Sequence, residues 1–142
     1  MQRQEMAGIT LVVGLGKSGE SAARALRALG VAFAVTDSRA NPPGLATLQA
    51  ECPEVPRSLG GFDPAAFAKA ARLLVSPGVS VKTPVIAAAA ARGVPIWGDI
   101  ELLARLTTAP IAAITGSNGK STVTTLLGLM AERAGVRAAV GG

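Results

Sequence analysis

The chain alternates short apolar runs with longer segments whose apolar positions recur every three or four residues. Ile9-Thr10-Leu11-Val12-Val13 is closed by Gly14. It reads as a strand covered on both faces, as in parallel sheets. Lys17 to Leu29 follows with Ala22, Ala25, Leu26 and Leu29 on one helical face. Glu20 and Arg24 form a favourable i,i+4 pair, and Gly30 sits where a C-cap glycine belongs. Ala32 to Thr36 predicts a second strand ending at Asp37, then a Pro/Gly loop to Gly44 and a short helix from Leu45 to Ala50. Asp63-Pro64 predicts an N-cap and first turn of a helix reaching Ala71. Arg72 to Ser76 reads as a strand closed by Pro77-Gly78. Thr83-Pro84 opens a helix through Ala91, capped at Gly93, before a short strand at 95–97. Regular strand–helix alternation predicts an α/β fold with a parallel, doubly wound, Rossmann-like sheet.

Gly98 to Leu106 predicts a short helix with Ile100, Leu103 and Leu106 on one side, closing a first domain over residues 1–108. The pattern then restarts. Ile111 to Thr115 reads as a new strand, Gly116 to Thr122 as a glycine-rich turn, and Val123, Leu126, Leu127, Met130 and Ala134 as one face of a helix. Val136 to Val140 begins another strand. Residues 109–142 are expected to be the beginning of a second, P-loop α/β domain. At about 34 residues they fall below the ~40 that usually need outside help to fold, so a truncated domain is expected.

Composition narrows the chemistry. The net charge is +5, but no two of the 14 Lys and Arg residues are adjacent and only four residues are aromatic. That pattern points to an ordinary polar surface, not a nucleic-acid-binding stripe or stacking platform. There is no His, so neither a Ser-His-Asp triad nor a His-ligated metal can come from this chain. Cys52, the single cysteine, excludes an internal disulfide and suits a reducing, cytoplasmic setting. No apolar run approaches a membrane span.

Two glycine loops carry candidate chemistry. Gly14-Leu15-Gly16-Lys17-Ser18-Gly19 is G-x-G-x-x-G between a strand and a helix, with Asp37 18 residues further on at the end of the next strand. Such glycines allow a tight turn, a close phosphate approach and close helix–strand packing, and such an acid can accept from a ribose hydroxyl. A nucleotide-shaped ligand and a ligand-free tight turn are the two readings. Gly116-Ser117-Asn118-Gly119-Lys120-Ser121-Thr122 is a shortened phosphate loop, since the general spacing would need glycine at Ile114. Its N–H groups can cradle phosphates, Lys120 can reach the β- and γ-phosphates, and the hydroxyl of Ser121, or failing that Thr122, can ligate Mg²⁺. The bland reading is a turn with a solvated lysine. Asp99 and Glu101 read as acids offsetting a helix dipole.

Thr115-Gly116-Ser117-Asn118-Gly119-Lys120-Ser121-Thr122 resembles the ATP loop of the Mur ligases and their folylpolyglutamate synthase relatives, whose short glycine spacing it shares. Gly14 to Gly19, Asp37-Ser38-Arg39, Ser76-Pro77-Gly78 and Gly98-Asp99-Ile100-Glu101-Leu102 occur in the order of the D-glutamate-adding members. The resemblance implies that the first domain holds the UDP of a sugar substrate, not a dinucleotide. Lys17 and Ser18 then match positions near the diphosphate, Asp37, Ser38 and Arg39 positions that hold the uridine, Gly78 one beside it, and Leu15 a further UDP-binding position. It implies ATP and Mg²⁺ at Gly116 to Thr122, with Lys120 catalytic and Ser121 on the metal.

The activity so implied is ATP-dependent addition of D-glutamate to UDP-N-acetylmuramoyl-L-alanine through an acyl phosphate, by a cytoplasmic monomer serving peptidoglycan synthesis. The family's further Mg²⁺ ligands, its carbamylated lysine and its D-glutamate site have no counterpart here, so the chain alone is expected to be inactive. The competing readings are an NAD(H)-binding sensor with Asp37 on the adenosine ribose, which leaves the second loop unexplained, and a scaffold, which leaves both unexplained.

Overall fold

The structure is a computed structural model that describes residues 6–141. The chain separates into two compact units, residues 1–108 and 109–142.

The first unit is built on five parallel strands: β1 (Thr10–Val13), β2 (Phe33–Asp37), β3 (Arg57–Leu59), β4 (Arg72–Val75) and β5 (Ile96–Trp97). Their order is β3-β2-β1-β4-β5. Helices α1 (Lys17–Ala28), α2 (Leu45–Glu51), α3 (Pro64–Lys69), α4 (Pro84–Ala91) and α5 (Asp99–Leu106) connect and follow them. Sequence reasoning missed β3. Arg57-Ser58-Leu59 has one apolar residue, and its strand identity comes from pairing with β2 at the sheet edge, Thr36 opposite Ser58.

Period-two alternation divides the core into two layers. Val12, Val35, Leu74 and Trp97 pack with Leu26 of α1 and Leu102 of α5 on one face. Leu11, Val13, Leu73 and Val75 pack with Phe67 of α3 and Ile86 of α4 on the other. β1 and β4 are buried at every position, as a central strand with helices on both faces requires. Buried Arg72 donates to Thr10 Oγ1 at 3.0 Å. Its guanidinium lies 5.1 Å from the Trp97 ring centroid, and that of Arg105 lies 4.4 Å from it.

Helix details follow local chemistry, with departures in α1 and α5. Asp63 caps α3 by accepting from Ala65 N–H at 2.9 Å, and Gly30 ends α1 with φ 67°. The buried face of α1 is Gly19, Ala22, Ala23 and Leu26, while Leu29 lies beyond the last turn and is exposed. In α5 the inward residue is Leu102, with Leu106 partly buried; Ile100 and Leu103 are exposed. This helix carries two apolar stripes, and spacing alone does not say which one meets the sheet.

In the second unit, α6 (Lys120–Arg133) forms, but neither 111–115 nor 136–140 is a strand. A strand exists only as a partner in a hydrogen-bonded ladder, and every described strand belongs to the first unit. Val140 packs where a side chain at Gly128 would be, within 2.5 Å. The expected inward face of α6 is uncovered: Val123, Leu126, Leu127 and Met130 are all exposed. One helix and two unpaired segments are too little to enclose it.

Candidate functional site

In a parallel sheet of this order the chain leaves β1 and β4 in opposite directions, opening a crevice at their carboxyl ends. Four of the segments singled out in the sequence follow those ends: Gly14 to Gly19 after β1, Asp37 to Arg39 at β2, Ser76 to Gly78 after β4, and Gly98-Asp99 after β5.

The glycine loop is tied to its neighbours from both sides. Gly14 has φ 92°, a conformation L side chains rarely adopt, and its N–H donates to Thr36 O at 2.8 Å. Ser76 Oγ donates to Gly14 O at 2.8 Å. Helix α1 opens on Gly16 with no side-chain cap, and a Cβ there would meet nothing within 4 Å. The helix start therefore has no side-chain cap, and the space at Gly16 is open, an arrangement suited to an anion. Lys17 is exposed and Ser18 half-buried beside them. Gly44 N–H reaches Leu15 O at 3.0 Å, so the loop before α2 also closes on the glycine turn.

Asp37 is 2% exposed and fully engaged. Its carboxylate accepts from Leu15 N–H at 2.7 Å, Arg39 N–H at 2.8 Å, Arg39 Nε at 2.9 Å and Arg39 Nη2 at 2.7 Å. Burial alone would push this carboxyl up. The Arg39 guanidinium, the two backbone N–H groups and the Arg39 charge outweigh burial and hold it at about 2, below the usual 3.8. Sequence reasoning found Asp37 and Arg39 but not this clasp, nor the Ser76 bond. Ser38 and Gly78 are exposed at the same edge.

A depressed carboxyl stabilises the fold above its unfolded value, and the stabilisation is lost as pH falls through the folded value. The contribution from Asp37 is about 2 kcal/mol near neutrality. Asp37→Asn is expected to lower unfolding free energy by about that amount at neutral pH. In urea titrations the gap to wild type should shrink below about pH 4 and be largely gone near pH 2. A gap constant over that range would contradict the ion pair.

The second loop belongs to the second unit. Gly116 (φ 154°) and Gly119 (φ 74°) bend it, and α6 opens on Gly119 without a side-chain cap. Residues 116–122 are all exposed. Lys120 Nζ donates to Gly116 O at 2.5 Å, folding the ammonium across the loop. The Ser121 and Thr122 side chains lie in the first helical turn. The donor set of free N–H groups, an ammonium and two hydroxyls fits a polyphosphate. Among the described residues no three His, Cys, Asp or Glu side chains gather as a metal site. A cation here would have Ser121 as one ligand and need others from elsewhere. No helix among the described residues is long and apolar enough to cross a membrane.

Comparison with known proteins gives concordant likenesses. Residues 9–98 match the family described as "Mur ligase MurD-like, N-terminal domain". The chain is 53% identical over 138 residues to the "UDP-N-acetylmuramoylalanine--D-glutamate ligase" of Nitrosococcus oceani, covering 97% of this chain and 30% of that protein. It is 57% identical over 132 residues to the enzyme of the same name in Pseudomonas aeruginosa, covering 93% and 30%. The chain thus spans about a third of the length of these relatives. Among solved structures it is similar to a pseudomurein peptide ligase type C from Methanothermus fervidus (TM-score 0.59, 24% identity, 90% of this chain and 26% of that one). It is also similar to the UDP-N-acetylmuramate:L-alanyl-gamma-D-glutamyl-meso-diaminopimelate ligase of Neisseria meningitides (TM-score 0.61, 21% identity, 90% and 40%). At such identities these two likenesses speak to the fold alone.

Proposed function

This chain belongs to the Mur ligase family, through a MurD-like N-terminal domain, and from that premise we propose that it is the N-terminal part of an ATP-dependent ligase. The ligase joins D-glutamate to UDP-N-acetylmuramoyl-L-alanine, in the cytoplasm, for peptidoglycan synthesis. The first unit binds the UDP moiety. The observation that carries this reading is the uncapped start of α1, with Gly16 open, Lys17 and Ser18 beside it, and the Asp37–Arg39 clasp at the next strand end. Diphosphate oxygens fit the free N–H groups and the Lys17 charge. Ser38, Arg39 and Gly78 border the uridine, and Leu15 lines the same UDP site.

The second unit supplies the ATP loop. Gly116 to Thr122 wraps the phosphates, and Lys120 leaves its contact with Gly116 O to meet the β- and γ-phosphate oxygens. Mg²⁺, with Ser121 among its ligands, neutralises phosphate charge when bound. Phosphoryl transfer from ATP to the alanyl carboxylate creates a leaving group that the D-glutamate amine displaces, forming the amide. The acceptor site and the remaining metal ligands belong to the part of the relatives that this chain does not span, so the chain alone is expected to be inactive. The reading is tested by which nucleotide the chain takes: UDP is expected to bind and NADH is not.

A further inference from the structure

Asp37 stands at the end of β2, where an acid in a sheet of this order would receive a nucleotide ribose, yet it has nothing left to accept with. A carboxylate offers two oxygens and about four lone-pair positions. Oδ1 takes the Arg39 N–H and Nε; Oδ2 takes the Leu15 N–H and Arg39 Nη2. Three of the four come from one residue, two of them as a charged fork. A ribose hydroxyl could reach Asp37 only by displacing that fork. Bonds between charged partners are stronger than the neutral hydroxyl's replacement would be.

We propose that Asp37 is a positioning residue that fixes the Leu15 N–H and the Arg39 guanidinium, and that Arg39, by closing on it, is a specificity determinant that makes the site indifferent to ribose hydroxyls. The inference rests on the UDP reading above. A loop of dinucleotide-binding form is thereby barred from the grip on ribose through which such loops hold NAD(H). Ligands are selected by what meets the open start of α1 and the Arg39 side chain, which is 53% exposed while its partner is buried. This is specificity by removal of an acceptor rather than by an added contact.

The test is calorimetric titration of the chain with UDP, 2′-deoxy-UDP and 3′-deoxy-UDP, for wild type, Arg39→Ala and Asp37→Asn, with circular dichroism to confirm folding. Wild type is expected to bind all three within about threefold, because Asp37 offers the diol no free acceptor. Arg39→Ala uncovers acceptor positions on both oxygens, so it should come to prefer UDP over at least one deoxy analogue by about tenfold. Asp37→Asn should weaken all three ligands alike. A wild-type preference for UDP of about tenfold or more, or an unchanged ratio in folded Arg39→Ala, would overturn the proposal. If neither UDP nor its analogues bind wild type, the UDP reading itself falls and takes this inference with it; a preference among bound ligands leaves that reading intact.

Discussion

Lys120→Ala, placed in a full-length relative whose N-terminal segment is replaced by this chain, is expected to lower turnover by about a thousandfold. As the phosphoryl group leaves ATP, negative charge redistributes among the bridging and γ-phosphate oxygens. A fixed cation beside them stabilises that state more than the bound reactants. Lys120 starts α6 directly after the left-handed Gly119, and its ammonium already spans the loop to Gly116 O. Lys120→Arg should rescue poorly, because a planar fork does not replace a compact ammonium in a tight turn. UDP binding should survive, since the glycine loop of the first domain lies in a separate compact unit. Steady-state release of ADP on adding D-glutamate reads the effect. A surface lysine would change the barrier by only about 0.5 kcal/mol, and near-normal turnover by the folded variant would remove the ATP-site assignment.

Gly19→Ala is expected to destabilise the first unit by about 3 kcal/mol. A Cβ at Gly19 would stand 1.9 Å from Gly14 O and 3.0 Å from Gly14 C, both backbone atoms. That carbonyl cannot retreat cheaply, because it holds the Ser76 hydroxyl at 2.8 Å. The clash must therefore open the helix–strand contact at the base of the crevice. Gly16→Ala is the informative contrast. Its Cβ would meet nothing within 4 Å, so stability should fall by at most about 1 kcal/mol, the cost of a poorer N-terminal cap, while the added methyl stands at the helix start proposed to take the diphosphate. Urea unfolding followed by the fluorescence of Trp97, the chain's one tryptophan, separates the two. Equal stability of both variants would contradict the close packing of α1 on β1.

The sheet was legible in the sequence wherever a strand is buried on both faces, because β1 and β4 then read as unbroken apolar runs. β3 was not, since Arg57-Ser58-Leu59 is a strand only by virtue of its neighbour. The same principle failed in the other direction at 111–115 and 136–140, where strand-like composition has no ladder to join. Glycines at turns and caps could be placed because their conformational needs are local. The inward stripe of α5 could not, because two stripes compete and tertiary contacts choose Leu102. In the site, Gly14 to Gly19 and Asp37 were visible as a motif, but what Asp37 does depends on Arg39 folding back two residues, a side-chain geometry that spacing does not encode. The Ser76 contact joins residues 62 apart in the chain and had only its place at a strand end to announce it.

The most direct measurement is isothermal calorimetry of the wild-type chain against UDP and, separately, NADH under identical buffer conditions. Saturable one-to-one binding of UDP with no heat from NADH is the predicted result, with the UDP signal lost in Gly16→Ala. Saturable binding of NADH in the absence of any UDP binding would contradict the assignment of the first glycine loop to a UDP-linked substrate.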